Sequence, residues 1–206
     1  MIGFYNYTVI ATFIGTLSGI FGIVFAFSGQ PLLAMCSLML CGSIDMFDGK
    51  IAKTRVRTDA EKRFGIQIDS LSDMICFGVL PPCVGYAIGM RHWLCALPMA
   101  VYTIAGLIRL AYFNVTEEER QSTTDGHRKF YEGLPITCSA FVFPAVYVLC
   151  CYLPAAVAPW VYGVALLACA ATFVGKFRLP KPGLKGMLVM LAIGVLEFAL
   201  LVFLGR

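Results

Sequence analysis

Residues Asp45 to Asp73 read DMFDGKIAKTRVRTDAEKRFGIQIDSLSD, and this stretch decides the fold because it places acidic residues at the ends of two apolar segments. Asp45 and Asp48 close one apolar segment, and Asp69 and Asp73 lie near the start of the next. A carboxylate inside a membrane segment costs roughly 2.5–3.5 kcal/mol even on the most lenient insertion scale. Acidic residues in such places usually serve a function, so the four aspartates are the first candidates for a site.

The composition is typical of a membrane protein. Of the 206 residues, 59% are hydrophobic and 14% are charged, and the mean hydropathy is +0.81. Soluble domains carry roughly 25% charged residues, so this chain has too few to cover a water-facing surface. We therefore expect an all-α, polytopic membrane bundle that forms one integral-membrane domain over residues 1–206.

Seven apolar segments are candidates for spanning helices, since a bilayer core requires ~20 apolar residues. The second and the sixth segments are short, so the prediction of about seven helices leaves six or eight open. The predicted segments are Thr8–Phe27, Leu32–Phe47, Phe64–Gly89, Trp93–Phe113, Leu134–Leu153, Pro159–Val174 and Leu184–Leu204.

Basic residues are concentrated in alternate connectors. Lys50–Arg63 holds six, Asn114–Gly133 holds three and Gly175–Lys185 holds four, whereas the other connectors together hold only Arg91. Because loops rich in Lys and Arg stay in the cytoplasm, both aspartate pairs are predicted to lie at the cytoplasmic face. The cluster between two membrane segments favours binding of lipid or substrate phosphate, and not of nucleic acid.

The spacing of the aspartates favours a metal site. Residues three or four apart share a helix face, so each pair points one way, and a folded connector would bring the pairs together. One or two divalent cations would offset the repulsion, and oxygen ligands favour Mg²⁺ or Mn²⁺, with Ca²⁺ also open, over zinc. Two such ions typically hold a diphosphate. The alternative interpretation is that the aspartates are ion-pair partners that cap the helices.

Two glycines accompany the aspartates. Gly49 directly follows Asp48, and Gly65 precedes Asp69 by one helical turn. Each removes a side chain where a substrate could approach the backbone, so both are candidate substrate-binding positions.

The same stretch resembles the signature of the CDP-alcohol phosphotransferases, which is Asp, two residues, Asp-Gly, two residues, Ala-Arg, about eight residues, Gly, three residues, Asp, three residues, Asp. Two departures are present: Lys53 stands where the family usually has Arg, and eleven residues separate it from Gly65. The matching positions are Asp45, Asp48, Gly49, Ala52, Gly65, Asp69 and Asp73.

Within this family the chain most resembles the phosphatidylserine synthases. The shared words are IDSLSD, FGVLP at Phe77–Pro81, RLAYFNV at Arg109–Val115 and GLP ending at Pro135. The resemblance implies transfer of a phosphatidyl group from CDP-diacylglycerol to L-serine, with phosphatidylserine and CMP as products. It also implies a homodimer, and we expect an integral protein of a bacterial plasma membrane.

The resemblance assigns roles to the four aspartates. Asp45, Asp48 and Asp69 would ligate Mg²⁺ or Mn²⁺, as two ions that hold the diphosphate. Asp73 would be a ligand as well as the catalytic base that deprotonates the serine hydroxyl. Thr8 is a candidate for the CDP-lipid site, because family members hold the cytidine near the inner end of the first helix.

Basic and polar side chains on the same membrane side complete the candidate site. Lys53 can meet phosphate as a point charge, and Arg55 is an alternative for that role. Arg109 lies inside an apolar segment and must face the protein interior, a polar cavity or the interface. It could bind the serine carboxylate or a phosphate, or pair with an aspartate, and Asn114 and Lys129 could join it.

Three other functions remain open from sequence. A related phosphotransferase could use glycerol phosphate or inositol phosphate as the acceptor. A divalent-cation carrier is the non-enzymatic alternative, although it predicts acidic residues near the middle of the bilayer and not at one edge. An aspartate-rich prenyltransferase is also conceivable, but it would not need the Asp-Gly pair.

Overall fold

The computed structural model describes residues 3–123, 130–180 and 183–205, and most of them are helical. The α-helices are α1 (Ile10–Phe27), α2 (Pro31–Ile51), α3 (Asp59–Asp73), α4 (Leu80–Ile88), α5 (Ala96–Thr123), α6 (Ser139–Cys151), α7 (Ala158–Val174) and α8 (Leu184–Leu204). Two short strands, β1 (Phe130–Glu132) and β2 (Arg178–Pro180), pair with each other. The predicted helical membrane bundle is confirmed, and the strand pair is an addition that the sequence did not predict.

Five helical stretches within the described residues are long and apolar enough to cross a membrane. Two shorter apolar stretches, Ile136–Cys151 and Ala158–Val174, occupy the fifth and sixth predicted segments. Each of the seven predicted segments therefore contains a helix. The five long stretches are Tyr7–Phe27, Pro31–Ile51, Asp59–Ile88, Trp93–Arg120 and Gly186–Leu204.

The lengths of two segments differ from the prediction. The second is not short: α2 runs for 21 residues, because the helix continues through Gly49 and Lys50 to Ile51. The fifth is shorter than predicted, since Gly133 and Pro135 delay the start of α6 to Ser139. The site end of α2 thus extends one turn beyond the aspartates.

The start of α3 is fixed by a capping box. The Thr58 backbone N–H donates to Glu61 Oε2 at 2.8 Å, and the Glu61 N–H donates to Thr58 Oγ1 at 3.3 Å. These bonds satisfy two of the N–H groups that a helix leaves open at its start. The helix therefore begins at Asp59, five residues before the predicted start at Phe64, and it includes part of the basic connector.

A π-helical segment, Met74–Val79, joins α3 to α4 directly after Asp73. The wider turn changes the register of the backbone hydrogen bonds, and its carbonyl groups have partners on α5. The Tyr102 hydroxyl donates to the Phe77 carbonyl oxygen at 2.6 Å, and Thr103 Oγ1 donates to that of Gly78 at 3.1 Å. Such segments recur at functional sites because they change the direction in which neighbouring side chains point.

Glycines on α1 allow close contact with the α3–α4 helix. A Cβ atom at Gly19 would lie 2.7 Å from Cys76 Sγ, and one at Gly22 would lie 2.8 Å from a Leu80 methyl group. Small residues at helix crossings let membrane helices approach closely. The second half of α1 is therefore packed tightly against the segment that follows Asp73.

The strand pair ties two connectors together. Phe130 pairs with Pro180 and Glu132 with Arg178 in an antiparallel register. Gly133 follows with a φ of +74°, a conformation that favours glycine, and its N–H donates to the Phe177 carbonyl oxygen at 2.7 Å. The connectors α5–α6 and α7–α8 therefore lie at the same end of the bundle. Three-residue strands carry no detectable alternation, which is why the sequence did not predict them.

Candidate active site

The aspartates of α2 and α3 meet where these helices cross α1. Asp45, Asp48 and Asp69 each offer a carboxylate oxygen within 4.8 Å of the other two. The prediction that the connector brings the two pairs together is thus confirmed for these three residues. Asp73 lies outside this closest group but lines the same small cavity.

This small cavity is about 10 Å³, the volume that one water molecule needs. The four carboxylates share it with Thr12 of α1, and like charges this close repel one another strongly. Its lining residues are Thr12, Gly15, Cys41, Ile44, Asp45, Asp48, Asp69, Ser72, Asp73, Cys76 and Phe77.

The donor set fits a divalent cation. The three grouped ligands are carboxylates, which favour hard ions such as Mg²⁺ or Mn²⁺, and the group lies at helix ends beside a large cavity. A cation here would also remove the repulsion between the carboxylates. Asp45, Asp48 and Asp69 are the residues that would hold it, and Asp73 lies next to them.

A second cavity of about 1020 Å³ opens beside the aspartates. Asp45, Asp69, Asp73 and Arg109 line it, together with many apolar side chains, most of them from α2, α6 and α8. Ligand cavities commonly measure about 300–1,000 Å³, so this one is large enough for a substrate with an apolar tail. The apolar residues lining it include Met39, Leu40, Phe141, Met187, Met190, Leu191, Val195 and Phe198.

Arg109 lies in the protein interior, as the sequence predicted. Its side chain is 6% exposed, and it lines the large cavity together with three of the aspartates. Its Nε donates to the Leu134 carbonyl oxygen at 3.1 Å. The Leu134 N–H in turn donates to the Thr172 carbonyl oxygen at 3.1 Å, so the connector beside the strand pair holds the arginine in place.

Asn114 lies beside α3. The Ser70 hydroxyl donates to its Oδ1 at 2.7 Å, and its Nδ2 donates to Gln67 Oε1 at 3.3 Å. Its amide is therefore engaged between two helices, and Asn114 is absent from the lining of both cavities described above. Lys129, the third candidate of this group, lies outside the described residues.

The two predicted glycines differ in their surroundings. A Cβ atom at Gly49 would meet nothing within 4 Å, and Gly49 lines the large cavity. At Gly65 the nearest atom would be Arg57 Nη1 at 3.2 Å, the end of a flexible side chain. Open space beside the carboxylates is thus found at Gly49.

The basic candidates on the connector lie near the start of α3. Arg55 Nη2 is 3.8 Å from Glu61 Oε1, and the Arg55 side chain is 46% exposed. Lys53 belongs to a 3₁₀ turn, Ala52–Thr54, that extends α2, and its side chain lies outside the described residues.

Thr8 forms two hydrogen bonds to Asn6 at the start of the first helix. Its backbone N–H donates to Asn6 Oδ1 at 2.9 Å, and its hydroxyl also donates to that oxygen. Asn6 Nδ2 donates to Glu61 Oε1 at 3.1 Å, which ties the N-terminal segment to α3. Thr12, one turn further along, is the threonine that lines the small cavity with the aspartates.

Several residues at the site had no strong signal in the sequence. Lys50 lines the large cavity beside Gly49, and Ser70 and Ser72 form hydrogen bonds from α3 to the neighbouring helices. Ser70 and Ser72 adjoin the aspartates in the sequence, but sequence alone does not say which helix each one faces.

Comparisons with known proteins identify related chains. The family model described as CDP-alcohol phosphatidyltransferase matches residues 6–175. The chain is 32% identical over 152 residues to the CDP-diacylglycerol–serine O-phosphatidyltransferase of Saccharomyces cerevisiae, which covers 66% of this chain and 51% of that protein. It is also 32% identical over 136 residues to the enzyme of the same name from Helicobacter pylori, covering 65% and 52% of the two chains.

An archaeal relative is similar to the same extent. The chain is 33% identical over 132 residues to the archaetidylserine synthase of Methanothermobacter thermautotrophicus, covering 63% of this chain and 52% of that protein. The chain spans about half the length of these curated relatives.

Proposed function

The chain belongs to the CDP-alcohol phosphatidyltransferase family, and we propose that it transfers the phosphatidyl group of CDP-diacylglycerol to L-serine, giving phosphatidylserine and CMP. The observation that carries this proposal is the large cavity, where three aspartates and Arg109 line the same space as many apolar side chains. A substrate with a diphosphate and two acyl chains has this combination of polar and apolar parts. The names of the related proteins support serine as the acceptor.

The CDP-lipid would bind with its diphosphate at the aspartates. Asp45, Asp48 and Asp69 would hold Mg²⁺ or Mn²⁺, because an all-oxygen donor set favours these ions over zinc. Bound there as one ion or two, the metal would neutralise charge on the diphosphate and on the departing CMP. Gly49 leaves space beside the carboxylates for the lipid headgroup.

Other residues of the proposed lipid site lie around the start of α3. Arg55 and Lys53 would supply positive charge near the phosphates. Gly65 would leave room for the phosphates to approach the backbone. Thr8 would contribute to the cytidine end through the N-terminal segment. Its hydroxyl bond to Asn6 suggests that Thr8 acts by shaping this segment.

Asp73 would act as the base of the transfer. Its carboxylate would accept the proton of the serine hydroxyl, and the serine oxygen would then attack the β-phosphorus of the CDP-lipid. The bond from that phosphorus to the bridging oxygen breaks, and CMP leaves with this oxygen. A neutral alcohol is a poor nucleophile, so a positioned base contributes substantially to the rate.

Arg109 would bind the serine carboxylate. A guanidinium matches a carboxylate with two parallel hydrogen bonds, and the buried position strengthens such a pair. Asn114 would help to position α3 through its hydrogen bonds to Ser70 and Gln67. Lys129 would add positive charge on the same side of the membrane. An acceptor with a phosphate, such as glycerol phosphate or inositol phosphate, would suit Arg109 as well, which makes it the main alternative.

We place the site at the cytoplasmic face, because the basic connectors flank it. This face is where a water-soluble amino acid and a membrane lipid can meet. A homodimer, common in the family, stays a prediction for this chain.

The acceptor is tested with purified protein, CDP-diacylglycerol and Mn²⁺ or Mg²⁺. Product lipids are identified by mass spectrometry after incubation with serine, glycerol 3-phosphate or inositol 1-phosphate. We expect phosphatidylserine from serine and no lipid product from the two phosphates. A phosphatidylglycerol phosphate product without phosphatidylserine would overturn serine as the acceptor. The absence of a lipid product with all three acceptors would overturn the proposal that the chain is a transferase.

A further inference from the structure

Two serines lie directly beside the aspartates of α3. Ser70 and Ser72 are 9% and 8% exposed, although both are polar. With about 100° per residue, the two aspartates of α3 lie about 40° apart, and the serines lie about 80° to either side of their midpoint. Each serine therefore faces a different neighbouring helix while the aspartates point between them.

The Ser70 side of α3 is bonded to α5. The Ser70 hydroxyl donates to Asn114 Oδ1 at 2.7 Å, and Asn114 Nδ2 donates to Gln67 Oε1 at 3.3 Å. Asn114 thereby connects to two successive turns of α3. The contact resists both sliding and rotation of α3 against α5, because two points on the helix are fixed at once.

The Ser72 side of α3 is bonded to α1. The Thr16 hydroxyl donates to Ser72 Oγ at 2.7 Å, and the Ser72 hydroxyl donates to the Thr12 carbonyl oxygen at 3.4 Å. Thr12 itself lines the small cavity that holds the carboxylates. The opposite flank of α3 is therefore held next to the site.

We propose that Ser70 and Ser72 are positioning residues, which hold α3 between α5 and α1. They keep the Asp69 carboxylate close enough to those of Asp45 and Asp48 for the three to bind one cation. The proposal rests on the metal site of the proposed function. Without the hydrogen bonds of these two serines, repulsion among the carboxylates would favour a rotated or displaced α3. Binding of the cation would then have to restore the arrangement, and the apparent affinity would fall.

The size of the effect follows from interhelical hydrogen bonds in membranes. Their measured contributions correspond to about three-fold in an equilibrium constant on average and about twenty-fold at most. We expect each serine to alanine change to weaken cation binding about three-fold. The two serines bond to different helices but hold the same helix, so the double variant should weaken binding more than either single variant, by up to about ten-fold.

The experiment measures cation binding without substrate. Purified full chain in detergent is titrated with Mn²⁺, and the rise in melting temperature gives the concentration at half effect. The variants are Ser70→Ala, Ser72→Ala and the double variant. Ser37→Ala is the matched control, since its hydroxyl donates to the Leu33 carbonyl oxygen of its own helix at 3.0 Å.

The expected result is a half-effect concentration raised about three-fold in each single variant and unchanged in Ser37→Ala. Ser70→Thr, which keeps a hydroxyl, should recover most of the loss. Should Ser72→Ala fail to fold, Thr16→Val removes the same bond from the α1 side. A general packing role would instead lower the melting temperature without Mn²⁺ and leave the titration midpoint in place.

The outcomes separate this inference from the proposed function. A wild-type response to Mn²⁺ that the serine variants do not shift would overturn the positioning role and leave the metal site standing. Absence of any Mn²⁺ response in the wild type would overturn the metal site and the inference together. A shifted midpoint supports the inference whatever the acceptor alcohol proves to be, because no substrate is present.

Discussion

The helices on the two sides of the large cavity differ in how their polar residues are held. On the side of α3 and α5, hydrogen bonds cross between elements: Ser70 bonds Asn114, and Arg109 bonds the Leu134 carbonyl oxygen. Along α2, Ser43 donates within its own helix to the Met39 carbonyl oxygen, and Gly49 borders open space. The α3–α5 side therefore holds its polar groups in place, whereas the α2 side leaves room.

This difference suggests that the two sides of the cavity have different roles. The fixed side carries Asp73 and Arg109, whose proposed roles depend on placing a proton acceptor and a carboxylate partner accurately. Small misplacements at such positions reduce rates strongly. The open side carries Gly49, where a lipid headgroup needs space. Substitutions on the two sides should therefore affect different kinetic parameters.

The largest effect is expected for Asp73→Asn on the fixed side. An amide cannot accept the serine proton, so kcat should fall by about 10²–10⁴-fold, the usual contribution of a general base. Binding of CDP-diacylglycerol, measured by equilibrium dialysis with labelled lipid in micelles, should change little.

Asp59→Asn is the matched control for this substitution. Asp59 also lies on α3, but its side chain is 89% exposed and pairs with Lys62 at 3.2 Å. Exposed pairs contribute at most about 1 kcal/mol, so turnover should stay close to that of the wild type. Near-normal turnover of Asp73→Asn would remove Asp73 from the role of base.

An intermediate effect is expected for Arg109→Lys, also on the fixed side. Lysine keeps the charge but cannot form two parallel bonds with a carboxylate. Loss of a hydrogen bond to a charged group corresponds to about ten-fold to a hundred-fold. The KM for serine should rise by this factor, and the KM for CDP-diacylglycerol should not.

Arg91→Lys provides the control for the arginine substitution. Arg91 lies near the Tyr86 ring at 5.6 Å, on the connector between α4 and α5 and away from the cavities described. We expect unchanged kinetics for both substrates. An equal rise of both KM values in Arg109→Lys would contradict a specific role in serine binding.

The smallest effect is expected for Gly49→Ala on the open side. The new methyl group meets no protein atom within 4 Å, and alanine stabilises a helix by about 0.5–1 kcal/mol relative to glycine. The melting temperature should therefore stay unchanged or rise. The KM for CDP-diacylglycerol should rise several-fold, because the methyl group occupies the space proposed for the headgroup.

Gly42→Ala makes the same substitution at a tightly packed position of α2. A Cβ atom there would lie 2.5 Å from the Ala140 Cβ atom, so overpacking should destabilise the fold by about 1–3 kcal/mol. If Gly49→Ala lowered the melting temperature as Gly42→Ala does, the space at Gly49 would not be open. An unchanged KM would remove Gly49 from the lipid site.

Much of the site was predictable because its residues are costly in a membrane. Four carboxylates and Arg109 in apolar segments need partners, and their helical spacing determines which face they share. The closest group contains Asp45, Asp48 and Asp69, with Asp73 beside it in the small cavity. Sequence could not separate these positions, since it does not give the angle at which the helices cross.

Tertiary contacts explain what the sequence did not predict. The π-helical segment Met74–Val79 depends on Tyr102 and Thr103, which are 25 residues away. The strand pair depends on two distant connectors and has no local pattern. The partners of Ser70 and Asn114 likewise follow from helix packing and not from either segment alone.

The central claim is that the carboxylates of both helices serve one transfer from a CDP-linked lipid to serine. Release of CMP from CDP-diacylglycerol tests it most directly, measured on chelator-treated protein before and after addition of Mn²⁺ and serine. We expect CMP only when both Mn²⁺ and serine are present, with one phosphatidylserine formed for each CMP. Equal release of CMP after chelation, or without serine, would contradict the claim.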